Sequence, residues 1–244
     1  MQCVDTLLTL AGLLAFLVVL VLLAARLRAG RLDTRALWLA PCLWLVNAGT
    51  VLGGRAVQFH YFAEFGLKWN WLGKILAIGV TLLLCRLLPD FERKRVGITW
   101  RQAPGSFWPT LAVILVACVG AACVQRALET PDIRPETFLY QLFMPTLDEE
   151  LFYRGLLTFY LARALGDSLN PKAWVPDLSA WIIALQFSFA HAFGVDHSRP
   201  MFSITTFLGV LFYGSLFAWA RQRTGSVILP MVTHTLANTL FRVL

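Results

Sequence analysis

Apolar residues in this chain fall in long blocks, neither alternating nor confined to narrow stripes. Eight blocks stand out, near 4–25, 36–53, 70–88, 107–125, 138–163, 176–193, 202–220 and 225–243. A helix needs about 20 mostly apolar residues to cross a bilayer. The pattern therefore predicts an all-α fold, a polytopic membrane helix bundle of about eight transmembrane helices. The fifth block carries Asp148, Glu149, Glu150 and Arg154, which hides it from a hydropathy average. The link from Pro89 to Ser106 contains Arg93, Lys94 and Arg95 and is expected to be an interfacial loop or helix. Pro131 to Pro145, rich in proline and acid, is expected to hold a short re-entrant segment. Pro145 suits a first helical turn, which would put the acids early in the fifth helix.

Composition points the same way. The 244 residues are 58% hydrophobic and only 14% charged, against about 25% charged in a soluble domain. Such a chain cannot cover itself with polar surface, so membrane lipid is its expected surroundings. No polar stretch is long enough for a second domain. Residues 1–130 read as N-terminal transmembrane helices and 131–244 as the remaining helical core of one continuous membrane domain. Val4 to Ala25 is long for a signal peptide's apolar region and has no basic residue before it, so it reads as a retained first span.

The net charge of +7 does not read as a nucleic-acid interface. Its Lys and Arg residues cluster in short links, the pattern of cytoplasmic loops, and no nucleic-acid partner is expected. One set of alternate links, with Arg26, Arg28, Arg31, Arg35, Arg86, Arg93, Lys94, Arg95, Arg101, Arg163, Lys172, Arg221 and Arg223, is the more basic. The other holds Arg55, Lys68, Lys74, Arg126, Arg134, Arg199 and Arg242. Placing the richer side in the cytoplasm turns both termini, and the start of the fifth span, outward. The five cysteines show no metal-ligand spacing and read as small buried hydrophobes. Gly49 and Gly53 form a GxxxG pattern, either a dimer face or a close crossing within the bundle. His60 and His197 read as surface residues in loops.

Three polar clusters interrupt the apolar blocks. Ionisable groups at membrane depth are costly and persist mainly where chemistry or transport needs them. Glu149 and Glu150 point about 100° apart on a helix, whereas Glu150 and Arg154 are spaced i,i+4 and can pair along it. Glu149 then faces the bundle interior, where a poorly solvated carboxylate suits a general base. A salt-bridge knot between helices is the plainer reading. Phe187 and His191 are also i,i+4, so the ring can wall one side of the imidazole. A lone buried histidine is more often a core residue than a catalyst. His234 and Asn238 share a third helical face, and both can donate to a developing oxyanion.

The order of the three clusters, EExxxR, FxxxH and HxxxN on successive helices, resembles the CAAX protease and bacteriocin-processing family. Asp148 to Gly155 and Gly225 to Pro230 look alike as well, and the resemblance covers about residues 135–244. It implies an intramembrane endopeptidase with a conical cavity, acting on a membrane-associated protein or peptide. Glu149 and His191 would activate water, His234 and Asn238 would hold the oxyanion, and Glu150, Arg154 and Phe187 would support them. The CAAX-cleaving members open toward the cytosol, opposite to the side the basic links assign to Glu149. The expected location is a bacterial cytoplasmic membrane. No cofactor is expected. The alternative is zinc on Glu149, His191 and His234, since catalytic zinc often takes two histidines and a carboxylate. A transporter, or a bacteriocin maturation or immunity partner, is the competing non-enzymatic reading. A transporter would use buried charges for ion coupling but usually shows inverted repeats, and none is visible.

Overall fold

Apolar blocks of this length satisfy their backbone polar groups internally only as helices, and that is what they form. The computed structural model describes residues 2–28, 32–88, 93–128, 130 and 132–243. Its elements are α1 (Gln2–Leu27), α2 (Thr34–Tyr61), α3 (Trp71–Leu87), the one-turn α4 (Arg93–Val96) and α5 (Phe107–Leu128). There follow α6 (Pro135–Glu149), a π-helical stretch (Glu150–Leu157), α7 (Thr158–Leu165) and α8 (Leu178–Ala192). A short hairpin, β1 (Phe193–Asp196) and β2 (Arg199–Phe202), precedes α9 (Ile204–Thr224) and α10 (Ile228–Val243). Segments 4–27, 34–61, 107–127 and 204–224 are long and apolar enough to cross a membrane. The protein is an all-α, membrane-type bundle. Exposed Leu7, Val19, Leu83, Val116 and Phe212 leave apolar side chains on its outside, as a lipid-facing surface requires.

The central rod is the run from α6 through the π-helical stretch to α7. Residues 150–162 are buried on every side, the mark of a helix at the middle of a bundle. Phe152, Leu156, Leu157 and Leu161 join one core with Leu17 and Val21 of α1 and Ala40, Leu43 and Trp44 of α2. Widened π turns recur at functional positions in helices. Pro145 lies just before this one, where its missing N–H already interrupts the helical ladder.

Local chemistry sets the other boundaries. Asp33 caps α2, its carboxylate accepting the Ala36 N–H at 3.0 Å. That bond, and Arg163 beside it, hold the Asp33 carboxyl below its ordinary value. Asn70 caps α3 through Gly73 N–H. α2 and α3 cross almost in backbone contact: a Cβ on Gly54 would stand 2.4 Å from Gly73 Cα. The hairpin turns at His197 and Ser198, both at positive φ. It is tied to α1 by Val195 N–H on Thr9 Oγ1 and Ser198 N–H on Asp5 Oδ1, each at 2.9 Å.

Several expectations are corrected. The fifth helix begins at Pro135, which occupies its first turn, and Pro145 lies inside it. No re-entrant segment occurs among residues 132–145, and the acids fall midway along the rod. α2 runs on to Tyr61, so His60 belongs to its last turn and not to a loop. Nothing packs within 4 Å of where a side chain on Gly49 or Gly53 would begin, so the close crossing belongs to Gly54 and Gly73 instead. Cys85 and Cys118 are buried, but Cys42 and Cys123 lie on outward helix faces. Arg31 of the basic links, Pro89, Pro131 and the side chains of Cys3, Arg93 and Lys94 lie outside the described residues.

Candidate active site

Helix periodicity divides the two adjacent glutamates. Glu150 turns into the closed core, and Glu149 turns toward a cavity of about 780 Å³. α1, α2, α3, the central rod and α8 line that cavity, with Asn47, Lys74, Asp148, Glu149, Tyr153 and His191 among its walls. Asp5, Arg55 and Asp196 also line it. They belong to the start of α1, the last turns of α2 and the hairpin, so the opening faces the side on which α1 begins.

Glu150 and Arg154 are almost fully buried and pair at 3.3 Å, as their spacing predicts. Glu150 Oε1 also receives His234 Nδ1 at 2.8 Å. The Arg154 guanidinium lies over the Phe187 ring, 4.3 Å from its centroid, and donates to the Gly214 carbonyl. These contacts lock one buried ion pair, one imidazole and one aromatic wall together. A buried pair needs such additional partners to offset desolvation.

His191 also has a defined hydrogen-bonding state. Its Nδ1 stands 2.8 Å from the Phe187 carbonyl. A carbonyl only accepts, so Nδ1 carries the hydrogen, and in the neutral ring Nε2 presents the lone pair. The Phe187 ring lies 4.4 Å from the imidazole, centroid to centroid, as the i,i+4 spacing suggests. By the same logic His234 donates its Nδ1 hydrogen to Glu150, leaving Nε2 3.9 Å from Glu149 Oε2. That Oε2 is buried and has no hydrogen-bond partner among the described residues. An orphaned carboxylate oxygen at this separation from a ring nitrogen leaves a place that a bridging water can fill.

Sequence reasoning did not single out Lys74. Its ammonium bonds Glu149 Oε1 at 2.6 Å and Asp148 Oδ2 at 2.7 Å. Asn47 Nδ2 reaches the other Asp148 oxygen at 3.5 Å. Glu149 is therefore a bonded carboxylate with one oxygen taken, and its tie to Lys74 of α3 is an interhelical salt bridge of the kind the plainer reading expected. The available signal was a single lysine inside the apolar block 70–88. It was read only as one of the basic residues used for orientation.

Asn238 is not brought to the cavity. Its amide donates to Gln141 Oε1 at 3.0 Å, and neither it nor His234 is among the cavity's lining residues. Among the described residues, no three His, Cys, Asp or Glu side chains form a metal-ligand set. Glu149, His191 and His234 do not fit zinc as they stand, because the Lys74 ammonium, 2.6 Å from Glu149 Oε1, would repel a second cation there.

Residues 134–240 match the family model described as type II CAAX prenyl endopeptidase Rce1-like. No curated protein and no solved structure is matched by the chain.

Proposed function

Because residues 134–240 match the family model described as Rce1-like type II CAAX prenyl endopeptidase, we propose that this membrane protein hydrolyses a peptide bond of a membrane-associated protein or peptide, with Glu149 as the base. The observation that carries the reading is the free oxygen of Glu149. Lys74 holds Oε1, and Oε2 has no hydrogen-bond partner among the described residues, on a residue that lines the large cavity beside His191.

In this reading a water donates one hydrogen to Glu149 Oε2 and the other to an imidazole Nε2. Its oxygen then attacks the scissile carbonyl. As the new C–O bond forms, the water proton passes to Glu149, and from there to the departing amine as the C–N bond breaks. A base within hydrogen-bond reach of the water contributes about 10²–10⁴ in rate. Glu150, Arg154 and Phe187 keep His234 and His191 in their tautomers. The substrate class suggested by the family description is a prenylated protein C-terminus, reaching the cavity from the bilayer.

The test is made in the cell that encodes the protein. Glu149→Gln keeps the side chain's shape and removes the base. A membrane-associated precursor should accumulate in the variant strain, with its shortened form present only beside the unaltered protein. Identical terminal peptides in the two strains would count against proteolysis.

A further inference from the structure

Lys74, Arg154 and Arg221 are the buried Lys and Arg side chains among the described residues. Lys74 has Asp148 and Glu149, and Arg154 has Glu150. Arg221 of α9 is 3% exposed, and among the described residues no carboxylate stands within ion-pair reach of it. Its Nε donates to the Arg154 carbonyl at 2.9 Å and its Nη2 to the Arg95 carbonyl at 2.6 Å. A guanidinium has five N–H donors, and these contacts use two. Carbonyl dipoles orient the group without cancelling its charge, and a buried charge left unpaired is costly.

Gly97 packs directly against this guanidinium: a Cβ there would stand 2.5 Å from Arg221 Cζ. The same side chain lines a cavity of about 410 Å³, together with Arg95, Arg163, Asp167 and Ser168. Asp167 does not supply the missing charge, because it already accepts Arg28 and the Ser179 N–H. The cavity lies where α7 and α9 end, at Gly166 and Gly225. That is the end of the bundle with the more basic links.

A second crevice, of about 260 Å³, shares Arg163 with the first. Its walls are largely apolar and include Leu39, Cys42, Leu88 and Tyr160. Cys42 faces outward, and exposed Trp38 is also in its walls. An indole at the start of a spanning helix suits headgroup depth. A cationic cavity joined to an apolar crevice on the outside of a bundle matches a molecule with an anionic head and a hydrocarbon tail.

We propose that these two cavities hold one anionic phospholipid. Its phosphate takes the Arg221 donors that the two carbonyls leave over, and an acyl chain lies in the crevice beside Leu39 and Leu88. Guanidinium–phosphate bonds are charge-assisted and strong, and basic pockets between membrane helices on the cytoplasmic side suit anionic headgroups. The lipid supplies the absent counter-charge and links α2, α7 and α9. Because Arg221 also holds the Arg154 carbonyl, it steadies the rod that carries Glu149. The site is separate from the Glu149 cavity, and the inference does not depend on hydrolysis.

The experiment melts the full chain in detergent with added phosphatidylglycerol, phosphatidylcholine or inorganic phosphate. Phosphatidylglycerol should raise Tm by about 5 °C or more at saturation, and the other two should leave it nearly unmoved. No rise with phosphatidylglycerol, or an equal rise with phosphatidylcholine, overturns the proposal. An equal rise with inorganic phosphate overturns the lipid as occupant. Arg221→Gln removes the charge and should abolish the phosphatidylglycerol effect; a folded Arg221→Gln that keeps it overturns the site. Should that variant fail to fold, Ser168→Asp puts a carboxylate on the cavity wall at an exposed position. It should melt like unaltered protein without lipid and lose most of the rise, and a full rise overturns the placement.

Discussion

Glu149 and Glu150 are neighbours in sequence and differ in nearly everything else. Glu150 is fully buried, paired with Arg154 and bonded to His234. Glu149 faces the cavity with one oxygen on Lys74. Substituting Glu150 by Gln should therefore act on stability: Arg154 would lose its counter-charge in the core, and breaking such a pair costs about 3–5 kcal/mol. Thermal melting in detergent should show a clear drop for Glu150→Gln and almost none for Glu149→Gln. Equal melting of the two would contradict the division of labour. The pairing of Glu150 with Arg154, and the ring of Phe187 against His191, were legible because i,i+4 spacing is written in the chain itself. Lys74, Asn47 and Tyr153 were not singled out. Lys74 and Asn47 come from other helices, and which side chain meets Glu149 depends on how those helices pack. Tyr153 stood inside a motif, but its bond with Trp44, over a hundred positions away, is a tertiary contact.

The helices themselves were largely legible, because blocks of about 20 apolar residues leave the backbone few alternatives in lipid. What went unread were the irregular pieces. The π-helical turn at Glu150–Leu157 and the hairpin at 193–202 have no period that local pattern reveals. Pro145 was read as a helix start, whereas Pro135 does that work and Pro145 is accommodated inside. The α2–α3 crossing is likewise a tertiary fact: Gly53 and Gly54 are adjacent, yet only Gly54 meets the Gly73 backbone. Gly54→Val should force the two helices apart and cost about 1–3 kcal/mol as overpacking. Gly53→Val, with open space around it, should melt near the unaltered protein. The pair of melting curves is the check, and an equal fall in both would remove the crossing as the cause.

At the scale of the whole molecule, alternate helices run in opposite directions, and the cavity opens where α1 and α6 begin and where α2 and α8 end. The loops at the opposite end carry more of the Lys and Arg residues, which the positive-inside tendency places in the cytoplasm. The opening should then face outward. In a background without native cysteines, His197→Cys at the exposed hairpin turn should label with an impermeant maleimide in intact cells. Ser168→Cys at the other end should label only after permeabilisation. The reverse pattern would turn the cavity to the cytosol. Either orientation leaves the central claim unchanged, namely that a cavity carboxylate drives peptide hydrolysis. Its most direct test is cleavage of a farnesylated CAAX-type peptide, carrying a fluorophore and quencher, by pure protein in proteoliposomes, with and without a strong chelator. Turnover should survive the chelator and fall by at least about 10² in Glu149→Gln. Cleavage that persists in Glu149→Gln, or that stops with chelator and returns with zinc alone, would contradict it.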